Sequence, residues 1–161
     1  PYFGKEDSVR IFTKHKVFTK EEIHARLDIV LEKYSKQINI EAGVAYEMAT
    51  REILPACSDY AVELAAQLQT LEGSGVKSDS LKKKLGEVMV LVEEASKIAE
   101  KLDADRKAAK AIADPLAQSK DYRDSVFASM EALRAPIDRL EKLLPKDYWP
   151  MPTYEELLFR I

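Results

Sequence analysis

Apolar residues recur at helical spacing along most of the chain, and three stretches carry the pattern most regularly. In the first, Ile23, Leu27, Val30, Leu31, Tyr34 and Ile38 mark one face of an amphipathic helix. Thr19 and Glu22 form a capping box ahead of it: the hydroxyl accepts from the Glu22 amide and the carboxylate reaches back to the Thr19 amide. The helical pattern runs from Lys20 to Leu54, about 50 Å at ~1.5 Å per residue. Gly43 lies inside it and costs about 1 kcal/mol relative to alanine. Pro55 lacks a backbone donor, so a kink or an end is expected there. Tyr60, Ala61, Leu64, Leu68 and Leu71 then resume the stripe, which predicts one long, kinked helix from Lys20 to about Leu71.

Glu72-Gly73-Ser74-Gly75 supplies a turn, with Gly73 placed to stop the helix. A second helix is expected to start near Ser78 or Ser80. Its seam, Leu81, Leu85, Val88, Val92, Ala95, Ala99 and Leu102, advances in steps of four and three, and its alanines permit close approach of a partner helix. The pattern thins beyond Leu102, with Ala109, Ile112 and Ala113 as its continuation. Asp114-Pro115 is a strong start signal for a third helix, since Asp caps well and Pro is preorganised at the first helical position. That helix carries Val126, Met130, Leu133, Ile137, Leu140 and Leu144, with a bend expected at Pro136.

Short connections favour antiparallel neighbours. The fold class is therefore all-α: an elongated antiparallel bundle of three long helices, four if Pro55 breaks the first, with a short C-terminal helix. Residues 1–18 read as a connector, with Val9 and Phe12 marking a short helical turn around Ser8 to His15. Residues 19–144 form the bundle domain, and residues 145–161 a docking tail. In that tail Pro145, Pro150 and Pro152 keep the backbone extended. Thr153 and Glu156 make a second capping box for the short helix. Tyr148, Trp149, Met151, Tyr154, Leu157, Leu158 and Phe159 are the candidate interface residues. So much apolar surface on a terminal segment is expected to be docked, either on the flank of the bundle or on a partner.

Composition narrows the function classes. The 161 residues are 46% hydrophobic and 33% charged, with Lys+Arg 25 against Asp+Glu 28 and a formal charge of −3. That balance is no electrostatic footprint for nucleic acid. No apolar run approaches the ~18–20 residues that cross a bilayer, so no membrane partner is expected. Cys57 is the single cysteine, which precludes an intrachain disulfide and a multi-cysteine zinc site; it reads as a small core hydrophobe in a reducing cytoplasm.

Candidate chemistry is sparse. Glu21 and His24 satisfy Glu-x-x-His, but a di-iron bundle needs a second copy and further carboxylates, and the other histidine, His15, has no glutamate three residues before it. Gly73-Ser74-Gly75-Val76-Lys77-Ser78 fails as a phosphate loop because Val76 stands where glycine must precede the Lys-Ser pair. Neither histidine has a context that marks a nucleophile. Lys82-Lys83-Lys84, flanked by inward Leu81 and Leu85, reads as a solvated face. Asn39 and Glu41 sit beside Ile38 and Ile40, where polar side chains can pair across a helix contact and set register.

Two blocks carry a family resemblance. HKVFTKEEIHARLDIVLEKYSKQINIEA, His15 to Ala42, closely resembles the start of the C-terminal helical region of type III glutamine synthetases, and LPKDYWPMPTYEELLF, Leu144 to Phe159, resembles its end. The resemblance covers about Ser8 to Phe159, with the middle from Cys57 to Arg139 generic for helical bundles. It implies a parent that joins ammonia to glutamate with hydrolysis of ATP through γ-glutamyl phosphate, using Mg²⁺ or Mn²⁺. It implies a cytoplasmic dodecamer of two stacked hexameric rings. The catalytic machinery lies upstream in that family, so this chain is assigned no catalytic, cofactor-binding or metal residue and is expected to be inactive alone. The N-terminal PYFGKEDSVR, without an initiator Met, reads as a cut through a longer polypeptide. By this reading the tail contacts the upstream catalytic domain or a neighbouring subunit. The alternative from composition and periodicity is a free-standing helical interaction module.

Overall fold

The computed structural model describes residues 2–152 and 154–159 and contains no β-strand among them. Helix α1 is Glu6–Lys14, α2 residues 20–73, α3 Asp79–Ala111, α4 residues 115–143 and α5 Tyr154–Leu158. Single 3₁₀ turns cover Tyr2–Gly4 and Lys146–Tyr148.

Helix α2 starts with the expected capping box: the Glu22 amide donates to Thr19 Oγ1 at 3.2 Å, and the Thr19 amide donates to Glu22 Oε2 at 2.8 Å. Pro55 does not break the helix. Lys20–Met48 passes into a π turn, Ala49–Ile53, and then into Leu54–Gly73. The Leu54 amide donates to the Ala49 carbonyl, one residue further back than in a regular α-helix. The widened turn ends just before Pro55. It contains Arg51, the residue whose carbonyl the proline ring would strike in a regular helix. Helix α4 repeats the device. Pro115–Asp121 is followed by a π turn at Tyr122–Val126, with the Phe127 amide donating to Tyr122, and then by Phe127–Leu143. Pro136 lies inside this last stretch and is fully buried, its ring serving as core.

The α2 stop differs from expectation. Gly73 is the last helical residue, and Gly75, at φ 78°, takes the left-handed position. The Gly75 amide donates to Glu72 at 3.0 Å and the Val76 amide to Leu71 at 2.9 Å, closing a Schellman motif. Ser78 then caps α3, accepting from the Leu81 amide, and Asp114 caps α4, accepting from the Ala117 amide at 2.7 Å.

Pairs that are distant in sequence fix the directions. Lys101 and Asp105 meet Ser129, while Glu87 meets Arg139, so α3 and α4 run antiparallel. Lys84 lies over Tyr60, and Arg106 lies beside Gly43, so α2 and α3 are antiparallel as well. The core between them contains Ile38, Ala42, Ile53, Leu64, Val88, Leu91, Leu102, Val126 and Leu140. Each large aliphatic side chain buried this way stabilises the fold by about 1.5–3 kcal/mol. Ala95 and Ala99 are fully buried where α3 meets its neighbours, as its small-residue seam requires. Two residues of the α2 stripe fall outside the core: Val30 and Tyr34 are exposed, and Ser35 and Ala42 take the inward positions.

The N-terminal part of α2 is flanked by the first eighteen residues. Helix α1 begins two residues before the expected turn. Phe3, Phe12 and Phe18 form a ladder of tilted rings, with centroids 5.5 and 5.8 Å apart, and Arg26 of α2 sits 4.7 Å from the Phe18 centroid.

Candidate docking site at the C-terminal tail

Helix α4 ends when Leu144, buried, turns to extended backbone at ψ 141°. Pro145 opens the 3₁₀ turn, with the Tyr148 amide donating back to its carbonyl at 3.0 Å. This turn carries Tyr148 onto Tyr60 of α2, with ring centroids 5.0 Å apart. Lys84 of α3 stands 5.1 Å from the same Tyr60 ring. Lys84 is thus a half-buried cation on an aromatic face; the reading of the Lys82–Lys84 run as wholly solvated is corrected at this residue. Tyr148, Trp149 and Met151 all pack on the bundle core.

Among the described residues beyond Met151, none packs on the bundle core. Lys146 pairs with Glu156 at 3.2 Å, which holds α5 against the 3₁₀ turn. An open cleft of about 670 Å³ lies between them, lined by Trp149, Met151, Leu157 and Phe159. Leu157, Leu158 and Phe159 are 64%, 72% and 74% exposed. The candidate interface residues therefore divide into an anchored group and an uncovered one. The expected capping box at Thr153 and the side chain of Tyr154 lie outside the described residues.

The polar candidates resolve into structural contacts. Asn39 accepts from the Tyr122 hydroxyl at 3.2 Å, joining α2 to the π turn of α4, whereas Glu41 accepts from Gln37 at 2.7 Å within its own helix. Burial raises the Tyr122 hydroxyl pKa above its ordinary value, with the Arg106 charge opposing. Glu21 and His24 are exposed, and among the described residues no three His, Cys, Asp or Glu side chains converge to hold a metal ion. Cys57 is fully buried, and desolvation pushes its thiol up to about 11.

One cluster escaped sequence reading. Ser129 on α4 is buried and donates to Asp105 on α3, while Lys101 donates to both, at 2.9 Å to the Ser129 hydroxyl. Burial pushes the Asp105 carboxyl up, but the Lys101 and Ser129 hydrogen bonds outweigh it and hold the group below its usual range. Asp103 is held low by hydrogen bonds from Lys107 and Arg106. Position and partner here depend on a contact 24 residues away, and no local pattern marks it.

Fold and site together define an all-helical bundle with an anchored tail that ends in exposed Leu157, Leu158 and Phe159. Residues 1–72, which comprise α1 and nearly all of α2, match the family described as glutamine synthetase C-terminal domain. The chain is 34% identical over its whole length to a glutamine synthetase of Butyrivibrio fibrisolvens, of which it covers 23%. It is 26% identical to a glutamine synthetase of Bacteroides fragilis (strain YCH46) over 98% of the chain, and to a type-3 glutamine synthetase of Dictyostelium discoideum over 97%. It covers 22% of each of those two. The chain thus spans less than a quarter of the length of the curated relatives it matches, and it corresponds to the C-terminal domain of glutamine synthetases, with a type-3 enzyme among its relatives. No helix among the described residues is long and apolar enough to cross a membrane.

Proposed function

We propose that this chain is a structural and subunit-packing element of a glutamate–ammonia ligase, an enzyme that forms glutamine from glutamate and ammonia with hydrolysis of ATP. The observation that carries the reading is the alignment itself. It runs along the whole chain and occupies under a quarter of each relative. ATP and Mg²⁺ or Mn²⁺ would belong to the remainder of the parent, as the family resemblance implies. The parent is placed in the cytoplasm as a homo-oligomer, a dodecamer of two hexameric rings.

The tail supplies the physical rationale. Tyr148, Trp149 and Met151 fix its first half to the bundle, and Leu157, Leu158 and Phe159 are presented to solvent. Three consecutive exposed apolar side chains are stabilised by burial on a partner. The upstream catalytic domain or a neighbouring subunit fits that role. No ligase activity is expected from the isolated chain, and glutamine formation by the pure 161-residue chain would refute that.

Probing a lysate of the source cell with an antibody to this domain tests the reading. The expected band is about four times the 18.2 kDa of this chain and comigrates with glutamine synthetase activity in a large assembly. A single band at the size of the chain itself would instead identify a free-standing helical interaction module.

A further inference from the structure

We propose that the polar cleft where α2 meets the end of α3 and the start of α4 is a binding site for a small carboxylate. Ser35 lines it, is only 3% exposed, and has a hydroxyl with no hydrogen-bond partner. A serine or threonine inside a helix ordinarily returns its hydroxyl to the carbonyl one turn back. Thr50, Ser58 and Thr70 do so here, at 2.8, 2.9 and 2.9 Å. Ser35 does not, and a hydroxyl taken out of water without a partner is unfavourable. The cleft beside it has a volume of about 210 Å³. At ~30 Å³ per water molecule, that space takes a ligand of roughly seven non-hydrogen atoms, which is too small for a peptide segment.

The neighbouring groups select the ligand. Asn39, one turn beyond Ser35, accepts from the Tyr122 hydroxyl at 3.2 Å through its carbonyl oxygen, which leaves its NH₂ as the donor for a ligand. Glu32 and Lys36 also line the cleft, but they pair with each other at 2.6 Å. Lys110, in the last turn of α3, is exposed and has no ion-pair partner among the described residues. The carbonyls that end α3 oppose an anion. Gln118 covers two of them, donating to Lys110 at 3.4 Å and to Ile112 at 2.9 Å. The lining is thus left with a single net positive charge beside a hydroxyl and an amide donor. That set matches a carboxylate, with its one charge and two acceptor oxygens. A phosphate group carries nearly two negative charges at pH 7 and calls for more cations than this cleft offers. The inference does not depend on the ligase reading, because site and test lie within this chain.

An NMR titration of the isotope-labelled chain with sodium acetate, against sodium chloride at equal ionic strength, provides the measurement. Acetate is expected to shift the Asn39 side-chain amide resonance saturably, with a Kd on the order of 10 mM, and chloride is not. Lys110→Gln should weaken acetate binding by about fivefold and leave the fold intact, since Lys110 is exposed. Ser35→Ala should weaken it by about threefold while raising the thermal midpoint of the ligand-free protein. A serine that served only in packing would leave the acetate response unchanged. Lys33→Gln, on α2 but outside the cleft, should bind acetate as the parent chain does. The absence of a saturable acetate shift overturns the proposal, as does an equal response to chloride. Tighter binding of inorganic phosphate, or an acetate affinity indifferent to Lys110→Gln or to Ser35→Ala, overturns it too.

Discussion

The ring of Tyr148 rests on the ring of Tyr60 at a centroid distance of 5.0 Å, joining the chain's tail to the C-terminal third of its longest helix. Tyr60 is only 4% exposed and has the Lys84 ammonium on its ring as well. Three elements that are remote in sequence therefore meet on one aromatic side chain. Tyr60→Ala is expected to cost about 3 kcal/mol as a core truncation. Tyr148→Ala should cost less, because Tyr148 is half-buried. In a double-mutant cycle by urea denaturation the two should couple by about 1 kcal/mol, the scale of an aromatic pair. Strict additivity would show that the tail does not hold this contact in solution.

Lys16 ends α1 in the left-handed region, at φ 53°, where a side chain is disfavoured. The Lys16 amide donates to Thr13 and the Val17 amide to Phe12, so the turn is a Schellman motif with lysine in the position glycine prefers. Lys16→Gly should raise stability by up to about 1 kcal/mol, and Lys16→Ala should not. Thermal melts of the three proteins compare these outcomes directly.

Much of this fold is legible in the sequence because its helices are amphipathic and well capped. Thr19, Ser78 and Asp114 are caps that can be read from neighbours within three residues, and all three form. The failures have physical causes. Gly73 and Gly75 both satisfy a stop signal, and only the closing bonds of the turn decide that Gly75 takes the positive φ. Val30 and Tyr34 match the helical period of α2 but lie on its flank, where they border an open cleft with Leu116 and Arg123 of α4 instead of entering the core. Pro55 marks a disruption correctly, but the π turn that absorbs it is a choice made by packing on both sides. At the tail, the pattern identified Tyr148, Trp149, Met151 and Leu157 to Phe159 as one apolar set. Which of them the bundle covers is a three-dimensional outcome.

Cys57 should be inert in the folded protein. It is fully buried, and its thiol is pushed up to about 11, so very little thiolate exists at pH 8. Reaction with a disulfide reagent is expected only through unfolding. Its rate should then follow denaturant concentration as the population of open molecules rises. A fast stoichiometric reaction of the native protein at pH 8 would contradict this burial.

The Lys101–Asp105–Ser129 bridge makes a specific prediction about acid stability. Asp105 and Asp103 both titrate below the ordinary carboxylate range in the folded protein. A depressed folded-state pKa means that the unfolded chain takes up the proton first. The stabilisation is therefore complete above the unfolded pKa near 4 and is lost as pH falls from there through the folded value. Urea midpoints should be flat from pH 7 to about 5 and decline steeply below 4. Ser129→Ala removes a hydrogen bond that holds Asp105 low, in addition to a contact between α3 and α4. It should cost about 1 kcal/mol at pH 7 and show a shallower acid decline than the parent chain. Lys101→Met should flatten the decline further, since it removes both the hydrogen bond and the positive charge beside the carboxylate. An acid decline identical in all three proteins would mean that Asp105 titrates alike folded and unfolded, and that the bridge is no more than a packing contact.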